Sequence, residues 1–259
     1  MLQLQAGSAA GIVPRTGTFS RILQVLGELL VTVGVVLVLF IAWQLWWTNA
    51  AANATQREVV NDFAHAFKDS GAPVSPIRPD AADDYGPATV SPEPAAGGSI
   101  GIAYIPRFGA DYYRPIVQGT APAVLDSLGI GHYEGTAMPG GAGNFAVAGH
   151  RQTHGAVLDA IDSLVPGDRI YVQTRDGYYV YVFRNSEIVL PARTDVLLPV
   201  PSRPAEIPTE SYLTMTSCNP RFGSGERFIA YSVLAHWQPA SAGPPAEIAA
   251  QVKRIAGEG

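Results

Sequence analysis

Cysteine is almost missing from this chain. Among its 259 residues only Cys218 carries a thiol, so no intrachain disulfide can form. A surplus of basic charge is missing too. Seventeen Lys and Arg stand against 22 Asp and Glu, a formal net charge of −5 with a sequence pI near 5.5. That balance argues against nucleic-acid binding, which draws on clustered basic side chains. No internal repeat is evident. No group of His, Cys, Asp and Glu has metal-ligand spacing along the chain, so neither a metal nor another cofactor is expected. Glycine and proline, by contrast, are abundant at 27 and 21 residues, which favours turns and short elements over long helices.

Charge is also absent from residues 29–47, an unbroken apolar run ending in Trp43, Trp46 and Trp47. At about 1.5 Å rise per residue such a helix spans a hydrocarbon core of roughly 30 Å. The tryptophans suit the interfacial belt, and Arg15 and Arg21 before the run place the N-terminus in the cytoplasm. A cleaved signal peptide is the competing reading, with small residues at 50–54 as a cleavage site. The run exceeds the roughly 7–15 residues of a signal core, which favours an uncleaved anchor. Both readings export the body of the protein. A buried core helix is the third, disfavoured because no polar face interrupts the run.

Residues 1–21 are therefore read as a cytoplasmic segment and 22–48 as a single transmembrane anchor, with the rest of the chain outside the cell membrane. In 49–99, Thr55-Gln-Arg-Glu58 has the form of a capping box, and Val59, Phe63 and Phe67 come after it at helical spacing. These features predict a short amphipathic helix over 56–68. A proline-rich linker over 70–99 then spaces the domain from the bilayer. From residue 100 to 238 short apolar runs alternate with turn signals, including the hairpin tripeptide Arg175-Asp-Gly177. Many short strands of this kind predict a mainly β barrel or sandwich with short helices. The tail, 239–259, is read as ending in a helix over 246–255.

Cys218 ends a strand-like run and precedes Asn219-Pro220, where the chain turns. A thiol attacks a carbonyl as thiolate, and so needs an imidazole or a cation nearby. His150 also ends a strand-like run, and Arg227 opens the strand after Cys218. A hairpin would bring Arg227 beside the thiol. Arg is no base at neutral pH; its fitting role is to hold a carbonyl oxygen and the oxyanion that develops there. Singly, each residue has a plainer reading: a small buried hydrophobe, a surface imidazole, a solvated cation.

Together with their surroundings they resemble a family. Ala148-Gly-His-Arg-Gln-Thr-His-Gly155 resembles the histidine motif of the sortases, and Leu213-Thr-Met-Thr-Ser-Cys218 their cysteine motif, with Glu226-Arg227 after it. Ile105-Pro106, Pro115-Ile-Val-Gln-Gly-Thr120, Gly131-His-Tyr133 and Thr136-Ala-Met-Pro-Gly140 fall in the family's order. The likeness covers roughly residues 100–234 and is strongest to the class E sortases of high-GC Gram-positive bacteria. Met215 stands where Leu is usual, and Ser217 where Thr precedes the cysteine.

The resemblance implies an eight-stranded β-barrel and a cysteine transpeptidase. Cys218 would cleave a Leu-Ala-x-Thr-Gly or Leu-Pro-x-Thr-Gly sorting signal between Thr and Gly. The thioacyl group would pass to an amine of a peptidoglycan precursor, with His150 as proton partner and Arg227 as oxyanion stabiliser. Secreted proteins bearing the signal and a lipid II-type precursor would be the partners. Thr216, Ser217, His132 and His154 are candidate substrate contacts; for His132 packing is an equal reading. Two rivals stand beside this: an L,D-transpeptidase-like acyl-transfer enzyme, whose cysteine motif usually carries a glycine missing here, and a non-catalytic membrane-tethered β-domain.

Overall fold

Strand alternation and turn residues build most of this chain. In the computed structural model, which describes residues 17–74 and 84–257, eight strands succeed one another. They are β1 (Ser99–Tyr104), β2 (Tyr113–Gln118), β3 (Ile130–His132), β4 (Gly143–Ala148), β5 (Arg169–Gln173), β6 (Gly177–Val189), β7 (Ser211–Asn219) and β8 (Glu226–Pro239). They close into a barrel in the order β1-β2-β3-β4-β7-β8-β6-β5. The β2–β3 and β4–β7 pairs are parallel and the others antiparallel. Closure leaves no open sheet edge, so every strand has a partner on both sides. The eight-stranded barrel expected from the sequence is thus the observed fold.

Its interior is filled by one row of each strand, among them Ile116, Phe145, Val147, Val172, Tyr181, Leu213, Met215 and Ala230. Strand β6 runs unbroken from Gly177 to Val189. Its pairing with β8 shifts register at Val180/Tyr181 and at Phe183/Asn185; such bulges bend a long strand so that it can wrap a barrel. Gly101 is required by closure, because a Cβ there would lie 1.9 Å from the Gln173 carbonyl oxygen on β5. The short helices between strands are α-helix over Pro122–Leu125 and a single 3-10 turn over Ile161–Ser163.

An α-helix runs over Thr18–Asp69 (α1, with Pro122–Leu125 as α2 and Ala249–Ile255 as α3). The chain divides into two compact units within α1, residues 1–46 and 47–259. Among the described residues of the first unit the apolar side chains are exposed all round, Leu29 and Val31 at 61% and 67%. That exposure sets aside a core helix and leaves a candidate membrane span. Residues 1–16, with Arg15, lie outside the described residues.

In the second unit, Val60, Phe63 and Phe67 of α1 pack on Ile102, Tyr104, Tyr171, Tyr178 and Val180 of the barrel wall, alongside Ile248 and Val252 from the C-terminal tail. Full burial of each such side chain contributes about 1.5–3 kcal/mol. The capping box at Thr55 does not start a helix. Its hydroxyl bonds back to the Ala51 carbonyl at 3.4 Å, because the alanines at 50–54 carry the helix straight through. Nor is the described part of the linker a free spacer. The Gly86 carbonyl accepts from Trp237 Nε1 at 2.8 Å, the Thr89 carbonyl accepts from the Tyr179 hydroxyl, and Ser91 bonds Asp176. Residues 84–98 strap the barrel; 75–83, with Pro76 and Pro79, lie outside the described residues.

Candidate active site

Alternation along β7 sorts the cysteine motif. Leu213 and Met215 point into the core, so Ser217 shares their face, while Thr216 and Cys218 take the other. Across the antiparallel pair Cys218 lies directly opposite Arg227, and directly opposed residues share a face. On the other side of β7, parallel β4 aligns Ala148 with Thr216, and the Gly149 amide continues the ladder to the Thr216 carbonyl at 3.1 Å. His150 comes next at the strand end, two positions past Ala148 as Cys218 is two past Thr216. Three separate stretches therefore deliver Cys218, His150 and Arg227 to one end of the β4–β7–β8 wall. Cys218 is part-exposed, unlike a buried structural thiol. Beside it Val189, Val196 and Ile229 form a small apolar cluster under the 190–210 connection.

Each group is held by identifiable bonds. His150 Nε2 sits 2.7 Å from Asp126 Oδ1, and Asp126 is the C-cap residue of α2. Arg227 Nη1 donates to the Ser224 and Glu226 carbonyls, both at 2.9 Å, which fixes the guanidinium at the mouth of the β7–β8 hairpin. Gly149 permits the sharp approach before His150: a Cβ there would lie 2.6 Å from Val157 Cγ2.

The four candidate substrate contacts separate. Thr216 faces the Cys218 side, and its Oγ1 meets the Tyr133 hydroxyl at 2.9 Å. Ser217 is buried and donates to the Gly149 carbonyl at 2.8 Å, so its hydroxyl ties the cysteine strand to the histidine loop. His132 is fully buried against Phe145. Nδ1 bonds Gln118 Oε1 at 2.7 Å, and Nε2 lies 2.8 Å from Thr136 Oγ1 and 3.1 Å from the Ala137 carbonyl. Burial pushes its pKa down from 6.5. Of its two readings, packing is the one this environment matches; with both nitrogens occupied inside the barrel it does not line the cleft. His154 lies at the rim, its ring centroid 4.9 Å from that of His150.

Two further residues escaped the sequence reading. Arg151 is 4% exposed. It donates through Nη1 to Asn219 Oδ1 at 2.9 Å and to the Cys218 carbonyl at 3.4 Å, pairs with Asp162 at 2.5 Å, and lies over the Phe228 ring. It thereby bolts the histidine loop to the cysteine strand. Its only sequence signal was its place after His150 in Gly-His-Arg. Asp126, 24 positions before His150, had none. With His150 and His154 it forms a set of ligand-type atoms within 4.8 Å of one another, a grouping that linear spacing could not show.

A closed barrel that brings a part-exposed cysteine, a histidine and an arginine to one end of its wall holds the three groups that cysteine-nucleophile acyl transfer requires. The sortase domain model matches residues 103–235, just over half of the chain. Sortase SrtE1 of Streptomyces coelicolor is 35% identical over 230 residues, 85% of this chain and 59% of that protein, so the chain spans about three-fifths of this relative's length. Among solved structures, SrtA sortase from Actinomyces oris is 36% identical, with a TM-score of 0.60 over 63% of this chain and 94% of its own. Sortase E from Streptomyces avermitilis is 34% identical, with a TM-score of 0.54 over 60% of this chain and 99% of its own. The chain belongs to the sortase family of cysteine transpeptidases, and its likeness includes the class E members.

Proposed function

We propose that this chain is a membrane-anchored sortase that joins secreted proteins to the cell wall. The observation that carries the reading is the Cys218–Arg227 register across β7 and β8, with His150 two residues past the end of the neighbouring strand β4. In this reading residues 22–48 span the membrane, 1–21 remain cytoplasmic and the barrel, 100–238, works outside. The described residues of the 49–99 segment and of the 239–259 tail brace its wall.

The reaction has two halves. In neutral His150, Nε2–H donates to the Asp126 carboxylate, leaving the Nδ1 lone pair as the base. That nitrogen takes the thiol proton, and the Cys218 sulfur attacks the threonine carbonyl of a Leu-Ala-x-Thr-Gly or Leu-Pro-x-Thr-Gly signal. The carbonyl oxygen becomes an oxyanion and draws on the Arg227 guanidinium. Collapse breaks the Thr–Gly amide, His150 returns its proton to the departing glycine amine, and a thioester remains on Cys218. An amine of a peptidoglycan precursor then attacks, loses its proton to His150 and releases the thiol. Thr216, on the same strand face as Cys218, is the nearest β7 side chain for a substrate backbone; His154 edges the same opening.

The test is direct. Full-length protein in detergent micelles is incubated with both signal peptides, and Cys218 is examined by mass spectrometry beside Cys218→Ala, His150→Ala and Arg227→Ala. A thioacyl adduct ending in threonine, dependent on Cys218, is expected. A Cys218 that resists both peptides and alkylating reagents would return the chain to the non-catalytic reading.

A further inference from the structure

We propose that Asp126, His150 and His154 form a binding site for a divalent d-block cation of the zinc type, at which the metal competes with the proton chemistry of His150. The competition rests on the catalytic reading of His150; the site itself rests on geometry alone. Asp126 Oδ1 lies 2.7 Å from His150 Nε2 and 3.9 Å from His154 Nδ1. Around a tetrahedral zinc with bonds of about 2.0–2.2 Å, ligand atoms stand roughly 3.4 Å apart. These two pairs straddle that value, and all three ligand atoms lie within 4.8 Å of one another, so side-chain shifts alone would bring them round one ion. Two imidazoles and one carboxylate suit zinc-like ions; calcium and magnesium favour all-oxygen shells.

A second observation points the same way. His154 Nδ1 is buried yet has no hydrogen-bond partner among the described residues. Buried polar atoms are rarely left so, and an orphaned one calls for an explanation such as a missing ion. Its ring is held in place from the backbone. His154 adopts φ 52°, Gln56 Nε2 donates to its carbonyl at 3.1 Å, and the next amide, Gly155, donates to Asn49 Oδ1 at 2.8 Å. All three side chains are part-exposed, so an ion could enter from solvent and keep an open position for water.

The consequence for His150 comes from counting its lone pairs. A metal on Nε2 leaves a neutral ring whose other nitrogen, Nδ1, carries the remaining proton. Such a ring has no lone pair to accept a proton from the thiol or from an incoming amine. It also loses its Asp126 hydrogen bond, since that carboxylate now faces the ion.

The probes are Co2+, read by its visible absorption, and Zn2+, which is spectroscopically silent and should displace it. Chelator-stripped full-length protein in micelles is titrated without substrate, beside His154→Ala, His154→Gln, Asp126→Asn and Cys218→Ser. One equivalent of Co2+ is expected to bind. Binding should weaken by about tenfold or more in the His154 and Asp126 variants and be retained in Cys218→Ser. Thioacyl formation, measured in chelator and then with Zn2+, should be blocked over the range that fills the site. The blocking concentration should rise in the His154 variants relative to each variant's own metal-free rate. No binding below about 1 mM (a free energy of only about −4 kcal/mol), equal binding in the His154 and Asp126 variants, or loss of binding in Cys218→Ser would each overturn the site. Filled sites with unchanged acylation would overturn the competition. Normal metal binding with no thioacyl even in chelator would leave the site standing and sink the catalytic reading instead.

Discussion

Cys218 and Arg227 oppose each other one position before the β7–β8 pairing ends at Asn219 and Glu226. A register slip of one residue would send either side chain to the other face of the sheet. The thiol and the guanidinium are therefore kept together by the whole ladder, and not by any bond between them.

That arrangement makes Arg227 separable from folding. Among the described residues its side chain bonds only nearby carbonyls at the hairpin mouth, at 2.9 Å. Arg227→Ala should leave the melting temperature almost unchanged and lower the single-turnover acylation rate by about 10²–10³, the usual cost of an oxyanion donor. A large loss of stability with little loss of rate would contradict its assigned role.

Arg151 should behave in the opposite way. It is nearly inaccessible and joins Asn219, the Cys218 carbonyl and Asp162. Arg151→Ala strands Asn219 Oδ1 and opens a gap over Phe228, so a stability loss of about 1–3 kcal/mol is expected in denaturant titration. Alkylation of Cys218 should become less uniform in rate as its strand end loosens.

Ser217 separates two roles. Its hydroxyl is buried on the Gly149 carbonyl. Ser217→Ala should cost about 0.5–1.5 kcal/mol and leave the preference between alanine- and proline-containing signals unchanged. A switch in that preference, read by competition between the two peptides, would show a substrate contact instead.

The helix that precedes the barrel should govern the order of the histidine loop. Asn49→Ala removes the acceptor of the Gly155 amide and should speed hydrogen exchange at that amide selectively. Phe63→Ala, on the packed face of the same helix, should cost about 3–5 kcal/mol and speed exchange across β1 and β5 as well.

The buried His132 predicts one limb of the pH dependence. Its folded pKa is lowered from 6.5 by burial, so the unfolded chain binds a proton first as pH falls. Its contribution is present above about pH 6.5 and is lost progressively below that, toward the folded value. Asp168, lowered from 3.8 by its hydrogen bond to Arg107, adds a second loss at more acidic pH. Melting temperature should therefore drop between pH 7.5 and 5, and drop less in a folded His132→Gln variant.

The sequence by itself determined whatever depends on neighbours in the chain. Alternation marked most strands, Arg175-Asp-Gly177 the hairpin, and the uncharged run at 29–47 the apolar helix; β3, only three residues long, stood out as a motif and not as a strand. The ordered blocks around His150, Cys218 and Arg227 carried the family, because each motif is local even though their meeting is not. Tertiary structure decided what depends on residues far apart. Asp126 meets His150 across 24 positions, Arg151 meets Asn219 across 68, and Gln56 meets His154 across 98. No local periodicity records such pairs, since each is created only when the barrel closes. The same closure turned Ser217 inward, buried His132 and drew residues 84–98 onto the wall: a strand's two faces look alike in sequence until packing decides which one meets solvent.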